Sequence, residues 1–310
     1  MLRSLLIPID LSYGSKWVVE RAALLPLAPD ARLTLLHVVP RLLPKESRLR
    51  AEEDARQTLE SLAKGLARAL PQGVTVQQSV KSGSATAEII RQARAVKAEL
   101  LVMGRGRGRA LRDIFLGSTA ERVIRQRKLP VLVVRPPPHA SYRRPLLALE
   151  LDPAAHDVLA WMFQVLPTPR PRVSLVHAYD APFQELLYPS LSTGKAKEQR
   201  ERYRQTAQQG LTRLLSTSLE RLKEEAPRDT GLRWKTYLRS GSPRTVIERV
   251  ARKTRADLVV LGTHGDSGAA HMFLGTVAGD VLRAVPCDVL VVPPRQTSES
   301  SLGDGSSSRG

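Results

Sequence analysis

The sequence predicts two tandem α/β domains, each a doubly wound, five-stranded parallel sheet with helices on both faces. The first observation is an internal repeat, because a segment ending in Gly275-Thr276 has a blurred copy 158 positions earlier that ends in Gly117-Ser118. The second is that short apolar runs alternate with helix-length polar segments in both copies, which is typical of a parallel sheet with right-handed crossovers. The third is length, since 310 residues allow a core in each half.

The elements of the first half follow in order from hydrophobic spacing. An apolar run at 5–10 predicts a buried first strand, and Ser12 is expected to cap the helix after it. The remaining strands are predicted at 32–39, 74–80, 100–103 and 131–134. Helices are predicted at 17–24, 48–69 and 86–96, with a last one after Gly117.

The second half repeats this order with an insertion. An offset of 140 maps 5–10 onto 145–150, whereas an offset of 158 maps 131–134 onto 289–292, so 18 extra residues must lie between these blocks. We expect these extra residues within 180–230. In that stretch, the pattern at 200–223 predicts one long charged helix. The predicted divisions are a first domain at 1–136, a linker at 137–144, a second domain at 145–294 and a disordered tail at 295–310.

Composition narrows the classes of protein. No apolar run reaches the ~18 residues that span a bilayer, and the first residues form a strand rather than a signal peptide, so we expect a cytoplasmic protein without membrane insertion. The single cysteine, Cys287, suits a reducing compartment and is expected to be a buried hydrophobe. The net charge of +18 favours a solvated basic surface over nucleic-acid binding, because aromatic residues make up only 4% of the chain.

The pattern Gly262-x2-Gly265-x9-Gly275-Thr276 follows the fourth strand of the second half. Glycine allows close approach of the backbone to a ligand, and a helix that begins at Gly275-Thr276 offers free N–H groups and a hydroxyl to phosphate oxygens. Open α/β sheets bind ligands at this end of their strands. The pattern therefore predicts a phosphate site, with a purely structural turn as the other interpretation.

The sequence lacks the residues that several kinds of catalytic site and metal site require. No P-loop lysine follows either glycine loop, and the glycines after Gly104 do not fit the dinucleotide pattern G-x-G-x-x-G. The six histidines and one cysteine lack metal-ligand spacing. His37 and His177 occupy equivalent positions and are expected to hydrogen-bond neighbouring loops. No residue is an evident base for attack on a phosphate, so no catalytic residue is assigned.

These motifs resemble the universal stress protein family, which is built on a G-x2-G-x9-G-(S/T) nucleotide loop. The resemblance covers both halves and includes Pro8-Ile9-Asp10-x-Ser12, His37-Val38 and the closing Pro130-Val131-Leu132-Val133-Val134. It implies a flavodoxin-like fold of the adenine nucleotide alpha hydrolase type. It also implies a stress-response regulator that binds ATP, AMP or another adenine nucleotide, with Mg or Mn bridging the phosphates. As an activity, the resemblance implies at most slow ATP hydrolysis or autophosphorylation.

The resemblance also implies site residues. In nucleotide-binding members, the carboxylate that ends the first strand and the backbone after the second-strand histidine contact adenine. Asp10 and Val38 occupy these positions in the first half, and Glu150 and Ala178 in the second. The ribose and phosphates would contact, in the second half, Gly262, Thr263, His264, Gly265, Asp266, Ser267, Gly268, Gly275, Thr276 and Val277. The first-half equivalents are Gly104, Arg105, Arg107, Gly117, Ser118 and Thr119.

The two halves depart from the family pattern in different ways. Arg107 stands where the first loop needs its second glycine, although the arginines around it could neutralise phosphates. In the second half the loop is intact, but Glu150 replaces the expected aspartate. We therefore expect the second half to be the better nucleotide site. The alternatives are an interaction scaffold without nucleotide and a basic nucleic-acid-associated stress factor. The resemblance further implies that the halves pair through their last strands, with an unknown protein partner and a homodimer left open.

Overall fold

A computed structural model describes residues 1–106, 118–126, 128–179, 193–225, 233–263 and 275–294. The described strands are β1 Leu2–Pro8, β2 Leu27–Val39, β3 Thr75–Ser82, β4 Leu100–Gly104, β5 Val131–Val134, β6 Pro145–Ala148, β7 Val173–Tyr179, β8 Trp234–Ser240, β9 Leu258–Gly262 and β10 Asp288–Val292. The described helices are α1 Ser15–Ala23, α2 Lys45–Ala69, α3 Ala85–Ala95, α4 Ser118–Arg125, α5 Ala155–Val165, α6 Thr193–Glu225, α7 Pro243–Thr254 and α8 Thr276–Ala284. The predicted tail at 295–310 lies outside the described residues.

The strands form one ten-stranded sheet in the order β3-β2-β1-β4-β5-β10-β9-β6-β7-β8. All described strand pairs within a half are parallel, which confirms the predicted doubly wound α/β class. The last strands β5 and β10 pair antiparallel, with Leu132 opposite Leu290. The two five-stranded sheets are therefore continuous through the middle of the molecule.

Two apolar layers cover the sheet, and each layer extends across both halves. Helices α1, α2, α5 and α6 pack on one face, and α3, α4, α7 and α8 on the other. Successive strand residues alternate between the layers, so Leu5 and Ile7 belong to the first layer and Leu6 to the second. A parallel sheet buried on both faces needs apolar residues on both sides of each strand, which explains the continuous apolar runs in the sequence. Among the described helices, none has the length and apolar character needed to cross a membrane.

A buried polar network joins the two halves where β5 meets β10. The Arg21 side chain of α1 is 5% exposed, and its Nε lies 2.8 Å from Oδ2 of Asp288, which is fully buried at the start of β10. The Tyr142 hydroxyl donates to the same oxygen at 2.8 Å, and the Arg135 backbone N–H donates to Oδ1 at 2.9 Å. The Arg21 guanidinium also stacks 4.2 Å from the centre of the Tyr142 ring. Arg21, Arg135 and Tyr142 thus all contact one carboxylate at the start of β10.

The start of α1 differs from the sequence prediction. Ser12 is not the helix cap, because α1 begins at Ser15 with Gly14 at the N-cap and without a side-chain capping bond. Instead, Oδ1 of Asp10 accepts hydrogen bonds from the Ser12 N–H and the Ser15 hydroxyl, both at 3.0 Å. The short loop after β1 is therefore held by the carboxylate at the strand end, which competes with any local serine cap.

Candidate functional site

The strand order changes direction twice, between β1 and β4 and between β6 and β9. Ligands of open α/β sheets bind beyond the carboxyl ends of the strands at such switch points. In the second half a cavity of about 750 Å³ lies there. The ends of β6, β7, β9 and β10 line it together with the first residues of α7 and α8 and one face of α6. This volume lies within the ~300–1,000 Å³ that small-molecule sites occupy.

The predicted second-half residues that the structure describes all line this one cavity. They are Glu150, Ala178, Gly262, Thr263, Gly275, Thr276 and Val277. The remaining residues predicted for this site, His264, Gly265, Asp266, Ser267 and Gly268, lie outside the described residues. Residues from three separate strand ends and one helix start therefore lie around one cavity.

The start of α8 gives the cavity an electropositive side. Gly275 is the N-cap of this helix and makes no side-chain capping bond. Its N–H donates to the Thr263 carbonyl at 3.1 Å, which ties the helix start to the end of β9. The N–H groups of the first helical turn have no acceptor within their own helix. Thr276 and Val277 therefore lie at the electropositive end of the helix dipole, where the helix borders the cavity.

Two acidic residues after β6 make different contacts. Oδ1 of Asp152 accepts the Ala155 N–H at 3.0 Å and so holds the start of α5. Glu150 lines the cavity. In the first half, by contrast, Asp10 at the position equivalent to Glu150 bonds its own loop. Asp152 therefore organises the helix start, and Glu150 borders the cavity.

His37 and His177 bond neighbouring strand ends, which confirms their predicted structural role. The Nδ1 atoms lie 2.7 Å from the Ile9 carbonyl and 2.9 Å from the Leu149 carbonyl, and each must donate because a carbonyl only accepts. His177 also lines the cavity, and burial lowers its pKa from the ordinary value. Within the described ranges, no group of three or more His, Cys, Asp or Glu side chains is arranged to hold a metal ion.

The first-half candidates occupy the equivalent positions, but the structure describes them incompletely. Gly104 ends β4, and a Cβ there would lie 3.3 Å from the Val18 side chain. Asp10 follows β1, and Val38 lies near the end of β2. Ser118 and Thr119 begin α4, while Arg107 and Gly117 lie outside the described residues.

The charge of Arg105, which follows β4, acts on Arg135. Arg135 lies close to the seam between the halves, where β5 pairs with β10. Burial first, and then the positive charge of Arg105, lower the pKa of Arg135 to about 10. The first loop therefore carries positive charge next to a guanidinium that is already partly desolvated. An anion near this position would reduce that repulsion.

The cavity also has walls that the motif did not predict. Tyr179 at the end of β7 and Tyr203, Thr206 and Ala207 on α6 line it. Tyr203 belongs to the long helix near the insertion, where sequence gives no sign that one helix face reaches the strand ends. The sequence signal for Tyr179 is its position two residues after His177, where the first half has Val39.

Comparison with known proteins finds relatives of this chain in sequence and in fold. A model of the universal stress protein family matches residues 1–135 and 141–293. A universal stress protein of Mycolicibacterium smegmatis is 28% identical over 308 residues, covering 94% of this chain and 97% of that protein. A crystal structure of a universal stress protein from Archaeoglobus fulgidus has a TM-score of 0.63 at 19% identity and covers 94% of this chain and 97% of that one. A putative universal stress protein from Pseudomonas aeruginosa shares the fold with a TM-score of 0.62 at 18% identity.

Proposed function

The chain belongs to the universal stress protein family, and we propose that it is a cytosolic regulator that binds an adenine nucleotide, ATP foremost, in its second half. The single observation that supports this proposal is the cavity of about 750 Å³ that all seven described second-half candidates line. Two domains at 1–136 and 145–294, joined by the linker, are part of the proposal. Nucleotide binding would alter the glycine loop, and a protein partner would read that change.

The lining residues suit the parts of a nucleotide. The first turn of α8, at Thr276 and Val277, would donate N–H groups and a hydroxyl to phosphate oxygens. Glu150 and the backbone at Ala178 lie at the ends of neighbouring strands and would contact the base. A divalent cation bound with a triphosphate would bridge its oxygens and neutralise charge. No residue is assigned to catalysis, so the proposal is a nucleotide sensor rather than an enzyme.

Calorimetric titration of the full chain with ATP and magnesium tests the proposal. We expect one strong site in the unaltered protein. Ala178→Phe would place an aromatic ring at the cavity edge and should abolish that site. Val38→Phe is the matched control, because Val38 holds the equivalent place in the first half and equally borders the core.

The outcomes separate the candidate functions. Binding lost in Ala178→Phe but kept in Val38→Phe, with both variants folded by thermal melting, supports a live second-half site. The reverse result would assign binding to the first half. Failure of the unaltered chain to bind ATP at millimolar concentration would leave the interaction scaffold, and a steep fall of polyanion affinity with salt would favour the nucleic-acid alternative.

A further inference from the structure

The second-half cavity has an aromatic side that equivalent positions in the first half lack. Tyr179 lies two residues after His177, and its first-half equivalent, two residues after His37, is Val39. Tyr179 lines the cavity, whereas Val39 is buried in β2. At this pair of equivalent positions, only the second half therefore has an aromatic side chain.

A second tyrosine reaches the same cavity from α6. Ala207 and Leu211 are buried in α6 as Ala55 and Leu59 are in α2, with the same spacing, so the two helices can be matched. In this register Tyr203 takes the place of Ala51. Tyr203 shares its helix face with Thr206 and Ala207, which also line the cavity, as expected for residues three and four positions apart.

Close packing holds this helix face at the cavity. A Cβ added to Gly210, one turn beyond Ala207, would lie 2.8 Å from Cδ1 of Leu151. Glycine therefore allows α6 to approach the loop that follows β6 and carries Glu150. Tyr203 itself remains half-buried, so part of its side chain is accessible.

We propose that Tyr203, together with Tyr179, forms an aromatic wall that selects a purine base in the second-half cavity. Donors at the start of α8 recognise phosphate and carry no information about the base. An aromatic face supplies that information, because stacking is specific to flat π-systems and grows with their area. This inference rests on the proposed nucleotide function and assigns specificity to residues outside the glycine loop.

The test compares base-dependent and base-independent binding by calorimetry of the full chain. The probes are ATP, UTP and inorganic tripolyphosphate, each with magnesium. Tyr203→Ala installs the first-half residue, and Tyr203→Phe keeps the ring. Arg204→Ala is the control for the helix, because Arg204 pairs in solvent with Glu201.

We expect Tyr203→Ala to weaken ATP binding about tenfold or more while tripolyphosphate binding stays within about twofold. The preference for ATP over UTP should fall with it. Tyr203→Phe should retain both, and Arg204→Ala should change neither. If Tyr203→Ala does not fold, Tyr203→Leu keeps apolar bulk without the ring and should show the same selective loss.

Two results would overturn the aromatic wall and leave the proposed function standing. One is unchanged ATP affinity in the folded alanine or leucine variant. The other is an equal loss for ATP and tripolyphosphate, which would mean that Tyr203 only supports the architecture. If the unaltered chain binds none of the nucleotides, the proposed function itself fails and this inference fails with it.

Discussion

The two halves share a topology but use equivalent positions for different purposes. At the end of β1, Asp10 bonds its own loop, whereas at the end of β6, Glu150 lines a cavity. Val39 is buried, whereas its equivalent Tyr179 lines that cavity. Buried apolar positions such as Leu132 and Leu290 remained alike. The fold therefore depends on the alternating strand interior, while the walls of the cavity depend on a few residues beyond the strand ends.

Removing the cation that pairs with Asp288 between the halves should have the greatest effect on stability. Arg21→Ala would leave Asp288 buried without its cation and should lower the free energy of unfolding by about 3–5 kcal/mol. Urea denaturation measures the loss. Arg3→Ala is the control, because the side chains of the Arg3–Asp30 pair are 69% and 68% exposed and such pairs contribute about 1 kcal/mol at most. Equal losses in the two variants would show that the seam does not depend on this ion pair.

A smaller effect tests the structural role of the first-half carboxylate. Asp10→Ala removes the acceptor for the Ser12 N–H and the Ser15 hydroxyl and should cost about 1–2 kcal/mol of unfolding free energy. Asp10→Asn keeps an acceptor oxygen and should recover much of the loss. Chemical denaturation of both variants provides the comparison. If alanine and asparagine behave alike, negative charge rather than loop bonding is the reason for Asp10.

A pH effect should be traceable to the second-half histidine. Burial lowers the pKa of His177 below its ordinary 6.5, so the unfolded chain takes up a proton before the folded one does. The contribution to stability is therefore complete above pH 6.5 and is lost as the pH falls below it.

The slope of unfolding free energy against pH tests this effect. The slope should be shallower in His177→Gln than in the unaltered chain, and His37→Gln run in parallel shows whether the effect belongs to the second half. An unchanged slope in His177→Gln would contradict the assignment.

The smallest effect concerns reactivity rather than stability. Cys287 is 4% exposed, and burial raises its pKa to about 12, so the native thiol should resist iodoacetamide. Mass spectrometry should find full labelling only in denaturing urea. Because Cys287 adjoins Asp288, Arg21→Ala should accelerate labelling by opening the seam more often. Rapid native labelling in the unaltered chain would contradict this packing.

The sequence predicts the fold well where a strand is a continuous buried run. The bounds of β5 match the prediction, because Pro130 precedes its four apolar residues and Arg135-Pro136 follows them. The start of β2 was predicted too late, since its pairing from Leu27 onward passes through a register shift opposite β1. Such irregular pairing depends on the partner strand and leaves no period-two pattern.

The candidate site is predictable only in part, for a similar reason. Gly262, Gly275 and Thr276 follow from a motif with fixed spacing, and the topology brings them to Glu150 and Ala178. Tyr203 depends on how closely α6 packs, which Gly210 and Leu151 decide together. The pairing of Arg21 with Asp288 joins opposite ends of the chain and lacks any local signal. Contacts of this kind follow from packing rather than from spacing.

The antiparallel pairing of β5 with β10 affects which molecules can pair with either half. Each strand occupies the hydrogen-bonding edge of the other, so neither half offers that edge to a second molecule. The two unlike halves consequently occur in a fixed one-to-one ratio, whatever the expression level. Pairing with another molecule through this edge would require breaking the sheet. The two unlike halves of one chain therefore stay paired with each other.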